Sequence, residues 1–549
     1  MKASDLFLRC LEAEGVEYIF GVPGEENADV MMSLLDSPIQ FIICRHEQGA
    51  AFMADLYGRM TGRPGVCLGT LGPGATNLTT GVASANMDNS PVLVVTGQGA
   101  TTRLHKESHQ IMNVVEMFRP ITKWATSIYD ERNIPEVVRK AFKTAAAEKP
   151  GAVHVELPED IAKNDVEDCP IVPGLKVRRP VADGKSIEKA LELIAAAQKP
   201  LILAGNGCIR TRVSKQLNRF IDRTGIFVAT TFMGKGAVSD RHPRSLYAAG
   251  LGARDRVALA FGEADLVIAI GYDLVEWHPS RWNAGVEKRV LHLDFEPAEV
   301  DTKYRPDVEV VGDLAAGLWA INERVTAAHE KSPPAFEDVR EALYFELEQE
   351  YAKDTGFPLK PQRILADLRR EMRDEDILIS DVGAHKMWVA RHYPTYTPGS
   401  CIISNGFCSM GIALPGAIGA KLVRADCKVV GLCGDGGFLM NVQELATAAQ
   451  YEIPCVILVW EDSEYGLIRW KQEDQFGKHS HIHFKNPDLV ELSRAFGCHA
   501  REVTSPDELR PALREAFGTT DRPSVIVVPV DYAENMKLTQ RLGELVCPS

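Results

Sequence analysis

Residues 429–463 read VVGLCGDGGFLMNVQELATAAQYEIPCVILVWEDS. An apolar run of strand length, 429–433, ends in Gly434-Asp435-Gly436-Gly437. A helix is expected over 441–450, and a second apolar run, 456–460, ends in Glu461-Asp462-Ser463-Glu464. Strand, helix and strand in this order form a unit of a parallel sheet, which carries its ligands at the carboxyl ends of the strands. The glycines let the backbone approach an anion closely, and a helix starting near Phe438 would aim its first amides at that anion. Asp435 would repel a phosphate unless a cation lay between them, so the residues point to Mg²⁺ bridging Asp435 and phosphate oxygens. Asp462 follows 27 residues after Asp435, at the end of the next strand, and supplies a second ligand. Taken alone, GDGG is also a plain strand-to-helix turn with acids capping a helix; the spaced second acid decides for the metal.

The same alternation runs through all 549 residues. Upstream, 18–20, 41–44, 65–69, 92–96 and 153–156 read as buried strands, with helices over 48–61 and 77–88. A poorly periodic stretch with three prolines, 170–184, reads as a linker. Strands at 201–204, 226–229, 265–270 and 290–294 follow. A second boundary falls at 329–336, and the last block holds strands at 377–380, 429–433, 456–460 and 524–529. The reading is α/β: three domains, each a mainly parallel sheet flanked by helices, over 1–169, 185–330 and 355–535.

Composition narrows the class. Lys+Arg 61 against Asp+Glu 75 gives a net charge of −14, which disfavours binding to a nucleic-acid backbone. No apolar run approaches the ~20 residues of a membrane span, and Asp5 and Glu12 interrupt any signal-peptide core. The twelve cysteines include no CxxC pair, and several sit in apolar runs. That usage suits reduced, buried thiols, and a cytoplasmic enzyme is expected.

The 435–463 segment resembles the signature of the thiamine diphosphate-dependent enzymes, a GDG followed some two dozen residues later by an Asn pair. Here Glu461-Asp462 take the place of the pair. The resemblance puts the metal on Asp435, Asp462 and the main-chain carbonyl of Glu464. It extends from Phe20 to Tyr532 and implies pyrimidine-binding, middle and pyrophosphate-binding domains. Arg45-His46-Glu47-Gln48 resembles the motif whose glutamate engages the coenzyme's pyrimidine ring nitrogen. Read by itself, Glu47 could equally be an acid at a helix start. The resemblance implies further coenzyme contacts from Pro23, from Gly72 and Pro73, and from Gly383, Ala384 and His385. Gly406, Cys408 and Met410 match the segment that bends the coenzyme, with Met410 under the bend and the Cys408 carbonyl facing its amino group. Gly434, Gly436 and Gly437 complete the diphosphate loop. In such enzymes the pyrimidine domain of one subunit faces the pyrophosphate domain of another, so a homodimer or homotetramer is expected.

Within the family the chain is most similar to the FAD-independent, catabolic acetolactate synthases. This is carried by Gly271-Tyr272-Asp273-Leu274-Val275-Glu276, Trp282-Asn283 and Leu291-His292-Leu293-Asp294, and it argues against FAD. Gln110 falls where carboligases place a glutamine near the substrate. The paired histidines of pyruvate decarboxylases are missing, with His105-Lys106 the nearest match. The implied reaction decarboxylates pyruvate and condenses it with a second 2-oxo acid to 2-acetolactate. Glu25 and Glu26 depart from this pattern, since catabolic synthases carry lysine at the place of Glu26, and they favour the alternative of a 2-oxo acid decarboxylase that releases aldehyde. Trp470 matches an aromatic position of the substrate pocket.

Overall fold

A computed structural model describes residues 1–167, 169–172, 174, 179–251, 256–326, 333–347 and 353–535. Three six-stranded sheets, every strand pair parallel, follow one another along the chain. The first holds β1 (Tyr18–Gly21), β2 (Gln40–Ile43), β3 (Gly65–Gly69), β4 (Val92–Gln98), β5 (Trp124–Ser127) and β6 (Ala152–Pro158), in the order β2-β1-β3-β4-β6-β5. The second holds β7 (Pro200–Ala204), β8 (Phe227–Thr230), β9 (Ser245–Ala248), β10 (Leu266–Ile270), β11 (Arg289–Asp294) and β12 (Val308–Val311), ordered β12-β11-β10-β7-β8-β9. The third holds β13 (Ile377–Ser380), β14 (Cys401–Ile403), β15 (Val429–Gly434), β16 (Val456–Glu461), β17 (His499–Glu502) and β18 (Ser524–Pro529), ordered β14-β13-β15-β16-β18-β17. The outer sheets therefore share one strand order and the middle sheet has another. Parts of both expected boundaries, 173, 175–178 and 329–332, lie outside the described residues.

Central strands are apolar on both faces because helices cover both faces; β3, β4 and β6 are buried throughout. The two outer units share one hydrophobic core, joined where helix Glu47–Thr61 crosses helix Ala413–Val423. Small residues permit the crossing: a Cβ on Gly419 would lie 2.5 Å from the Met53 carbonyl oxygen. A larger side chain there would force the helices apart and open the core.

Several expected bounds shift. The helix expected over 77–88 spans Pro73–Met87, because Pro73 occupies the first turn, where its missing N–H costs nothing. The helix after GDGG begins at Asp435, not near Phe438, and runs only to Met440. The one expected over 441–450 begins at Glu444. Between them Asn441 donates its Nδ2–H to the Gly411 carbonyl at 2.7 Å, a tertiary bond that holds the break open. The eleven described cysteines are all free thiols. No helix among the described residues is long and apolar enough to cross a membrane.

Candidate functional site

β15 and β16 are neighbours, with Gly434 opposite Trp460, so the acids that follow each strand meet at the carboxyl edge of the sheet. Asp435 is 1% exposed. Its Oδ2 accepts from the Ser463 N–H at 2.7 Å and from Asn486 Nδ2 at 2.8 Å, and its Oδ1 from the Gly436 N–H at 2.8 Å. Burial and the charge of Asp435 push the Asp462 carboxyl up to about 7. Among the described residues no lysine, arginine or histidine ion-pairs with either acid. A buried and a half-buried carboxylate side by side without a countercharge are costly, and a divalent cation is the simplest group that relieves them. The Glu464 carboxylate turns away, to Arg469 Nη1 at 2.8 Å and His483 Nδ1 at 3.0 Å, which leaves its main chain and not its side chain toward any metal role. No cluster of three or more His, Cys, Asp or Glu side chains suited to a metal occurs among the described residues. A cation here would need further oxygens, and Mg²⁺ takes such oxygens from water and phosphate.

The surrounding loops form a cradle. A Cβ on Gly437 would lie 2.7 Å from Asp381 Oδ2, and one on Gly436 would lie 3.0 Å from the Tyr465 ring. Asp381, a buried acid pushed up to about 7 by desolvation, accepts from the Val382 N–H at 2.7 Å and the Gly411 N–H at 2.9 Å, tying two loops together. Gly383 precedes helix Ala384–His392, and burial holds the His385 imidazole neutral, down to about 3. Its Nε2 is buried without a hydrogen-bond partner. Cys408 adopts a left-handed backbone (φ 57°), and Met410 beside it is half-buried. Trp470, on helix Gly466–Phe476, which starts beside Asp462, is only 7% exposed.

A second cluster stands at the carboxyl ends of β1, β2 and β3. Glu47 opens helix Glu47–Thr61, but His46 caps it, its Nδ1 accepting from the Gln48 N–H at 3.1 Å. The Glu47 carboxylate, on a residue 8% exposed, instead accepts from Asn77 Nδ2 at 2.9 Å. Gly72 (φ 49°) lets the loop before Pro73 touch Gln110, whose carbonyl oxygen would lie 2.9 Å from a Cβ there. The Gln110 side chain is exposed. Glu26 accepts from Thr70 Oγ1 at 2.9 Å, while Pro23 and Glu25 are exposed beside it. The structure thus gathers Pro23, Glu25, Glu26, Glu47, Gly72, Pro73 and Gln110 in one place, and Asp435, Asp462, Gly434, Gly436, Gly437 and the 383–385 loop in another.

Within one chain no hydrogen bond joins the two clusters among the described residues. The buried Glu444, pushed up to about 7 by desolvation, accepts from the Arg45 and His46 N–H groups at 3.1 and 2.9 Å and fixes the base of the Glu47 helix on the third domain. Asn486 and the role of Glu444 were not foreseen from the sequence. Each acts through a contact distant in the chain, Asn486 with Asp435 51 residues away and Glu444 with Arg45 and His46 399 and 398 residues away.

Three family models match the chain. Residues 1–117 match the N-terminal TPP binding domain of thiamine pyrophosphate enzymes, 187–321 their central domain, and 381–528 their C-terminal TPP binding domain. An acetolactate synthase of Bacillus subtilis is 35% identical, with 99% of this chain and 97% of the relative aligned. A catabolic acetolactate synthase of Raoultella terrigena is 35% identical over 98% of this chain and 97% of its own. The large subunit of acetolactate synthase isozyme 2 of Escherichia coli is 32% identical over 98% and 97%.

Proposed function

Since the chain belongs to the thiamine pyrophosphate enzymes, in company with acetolactate synthases aligned over nearly its full length, we propose that it is a carboligase that decarboxylates pyruvate and joins it to a second 2-oxo acid, forming 2-acetolactate. Residues 1–169, 185–330 and 355–535 are its pyrimidine-binding, middle and pyrophosphate-binding domains. The observation that carries the reading is the pair formed by the buried Asp435 and the half-buried Asp462, side by side at adjacent strand ends without a countercharge among the described residues, inside the segment matched to a TPP binding domain.

When bound, thiamine diphosphate supplies a nucleophilic carbon that adds to the 2-oxo acid carbonyl and accepts the electrons left when CO₂ departs. The chain's own residues do the rest. Asp435, Asp462 and the Glu464 carbonyl would hold Mg²⁺, and the amides around Gly436, Gly437 and 383–385 would donate to the diphosphate. Glu47 would share a proton with the pyrimidine ring nitrogen, its carboxylate held by Asn77 Nδ2 at 2.9 Å. Met410 and the Cys408 carbonyl would contact the coenzyme, and Gln110 would orient the substrate. A second copy of the chain brings Glu47 to the Asp435 cradle. FAD is not required: in the middle sheet, whose order suits a nucleotide on the turn after β7, the buried Glu276 side chain already accepts from the Asn206 N–H of that turn at 3.0 Å and occupies a donor that a phosphate would need.

Incubation with pyruvate, thiamine diphosphate and Mg²⁺ tests the assignment. Acetolactate without added FAD is the expected product. Steady release of acetaldehyde instead would establish the decarboxylase reading, which the acidic Glu25 and Glu26 favour.

Metal binding should depend on pH. The Asp462 carboxyl, at about 7 in the metal-free chain, holds a proton below that pH and must lose it to become a ligand. Apparent affinity for Mg²⁺ and thiamine diphosphate should therefore rise from about pH 6 to about pH 8 and then level off, with proton release at the lower pH. In the metal-free chain the sign is opposite. The folded form holds a proton that the unfolded chain gives up near pH 4, so Asp462 subtracts stability as pH climbs from about 4 to about 7. Calorimetry in buffers of different ionisation enthalpy measures both, and an affinity flat across pH 6–8 would contradict the role of Asp462.

A further inference from the structure

One buried residue ties the first and middle domains to the loop assigned to the coenzyme's bend. Asp88 lies between helix Pro73–Met87 and β4 and is 1% exposed. Its Oδ2 accepts from Ser404 Oγ at 2.6 Å and from Arg59 Nη2 at 2.7 Å. Its Oδ1 accepts from the N–H of Gly406 at 2.8 Å and of Phe407 at 3.4 Å. These donors fill the acceptor capacity of a carboxylate. The Asp88 carbonyl accepts from Asn206 Nδ2 of the middle domain at 3.1 Å, and Asn405 Nδ2 donates to the Glu276 carbonyl there at 2.8 Å. Residues 404–407 are thus held by partners from the first and middle domains.

The fit is tight. A Cβ on Gly406 would lie 2.5 Å from Asp88 Oδ1, so only glycine allows the approach. Arg59, which also grips Asp55 at 2.7 Å, is the cation that makes a buried Asp88 tolerable. Immediately beyond, Cys408 sits in the left-handed region, a conformation that persists only where its surroundings enforce it. Helix Glu47–Thr61 begins with the proposed activating acid and ends, three turns on, at the guanidinium that seats Asp88.

We propose that Asp88 is the positioning residue for the 404–410 loop, setting the shape in which that loop receives the coenzyme while touching none of it. The inference rests on the assignment of 404–410 to the coenzyme. Asparagine at 88 keeps the size but turns a donor toward Arg59 and Ser404. Asp88→Asn is therefore expected to raise the thiamine diphosphate concentration for half-saturation about 10- to 100-fold, the loss of one or two hydrogen bonds to a charged group. The KM for pyruvate should stay unchanged, and turnover should recover at saturating coenzyme. Ser404→Ala removes one of these bonds and leaves the ion pair with Arg59; it should cost about tenfold in the same titration. Coenzyme binding to the full chain with Mg²⁺ is read by calorimetry, beside thermal melting of each variant. A lower melting temperature with native coenzyme affinity would make Asp88 merely structural and overturn the proposal. If Asp88→Asn fails to fold, native affinity in Ser404→Ala overturns it equally. An unsubstituted chain that binds no thiamine diphosphate would overturn the functional reading, and this inference with it.

Discussion

Exchange of Glu47 for glutamine is expected to lower turnover by about 10²- to 10⁴-fold, the usual worth of a positioned acid–base group, while coenzyme affinity and melting temperature change little. Glutamine keeps the length of the side chain and can still accept the hydrogen bond from Asn77 Nδ2. The helix start survives as well, because His46 and not Glu47 caps it. What is lost is the capacity to share a proton with the pyrimidine nitrogen. Saturating coenzyme should not restore the rate, which separates this variant from Asp88→Asn. Steady-state kinetics with a coenzyme titration makes the comparison, and unchanged turnover would remove Glu47 from the chemistry.

Loss of Asp435 should act on binding instead. Asp435→Ala removes a metal ligand and also the acceptor that organises Ser463 and Asn486. Loss of a group that only supports a ligand costs about 10- to 100-fold in metal affinity, so removal of the ligand itself should cost about 100-fold or more for Mg²⁺ and thiamine diphosphate together. Asp462→Asn is the informative companion. The Asp462 side chain accepts only a long bond, 3.4 Å from the Glu464 N–H, and an amide oxygen can serve that bond and the metal. This variant should keep coenzyme binding, lose its pH dependence near neutrality, and melt higher without metal above pH 7 because a like-charge contact is gone. Calorimetry and melting curves on the two variants decide the matter. Equal losses from both would mean that charge alone, and not ligation, holds the site.

The core of each sheet was legible in the sequence, and the edges were not. β3, β13 and β18 fall at the residues read from apolar runs alone, because strands covered on both faces are apolar throughout. Five of the six edge strands, β5, β9, β12, β14 and β17, carry no such run. β12 and β17 are half exposed, so polar residues interrupt them, while β14 is three residues long. β9 is buried but bulged against β8, and Tyr247 has φ 61°. Short, interrupted edges limit unwanted pairing with other chains, and the same property hides them from a periodicity reading. The site divides in a similar way. Asp435, Asp462 and Glu47 stand at strand ends within contiguous motifs and could be named. Asp88 and Asn486 work through partners 316 and 51 residues away in the chain, and nothing local announces them.

The central claim is that the acid of one copy serves the metal cradle of another, and subunit complementation addresses it most directly. Glu47→Gln and Asp435→Ala chains, each nearly inactive alone at a coenzyme concentration that just saturates the unsubstituted chain, are mixed under conditions that exchange subunits. A mixed dimer would hold one site with both substitutions and one with neither, so about half the turnover of an unsubstituted dimer should return in it. Mixed assemblies that form but stay as inactive as their parents would place both groups in the same chain's site and contradict the account.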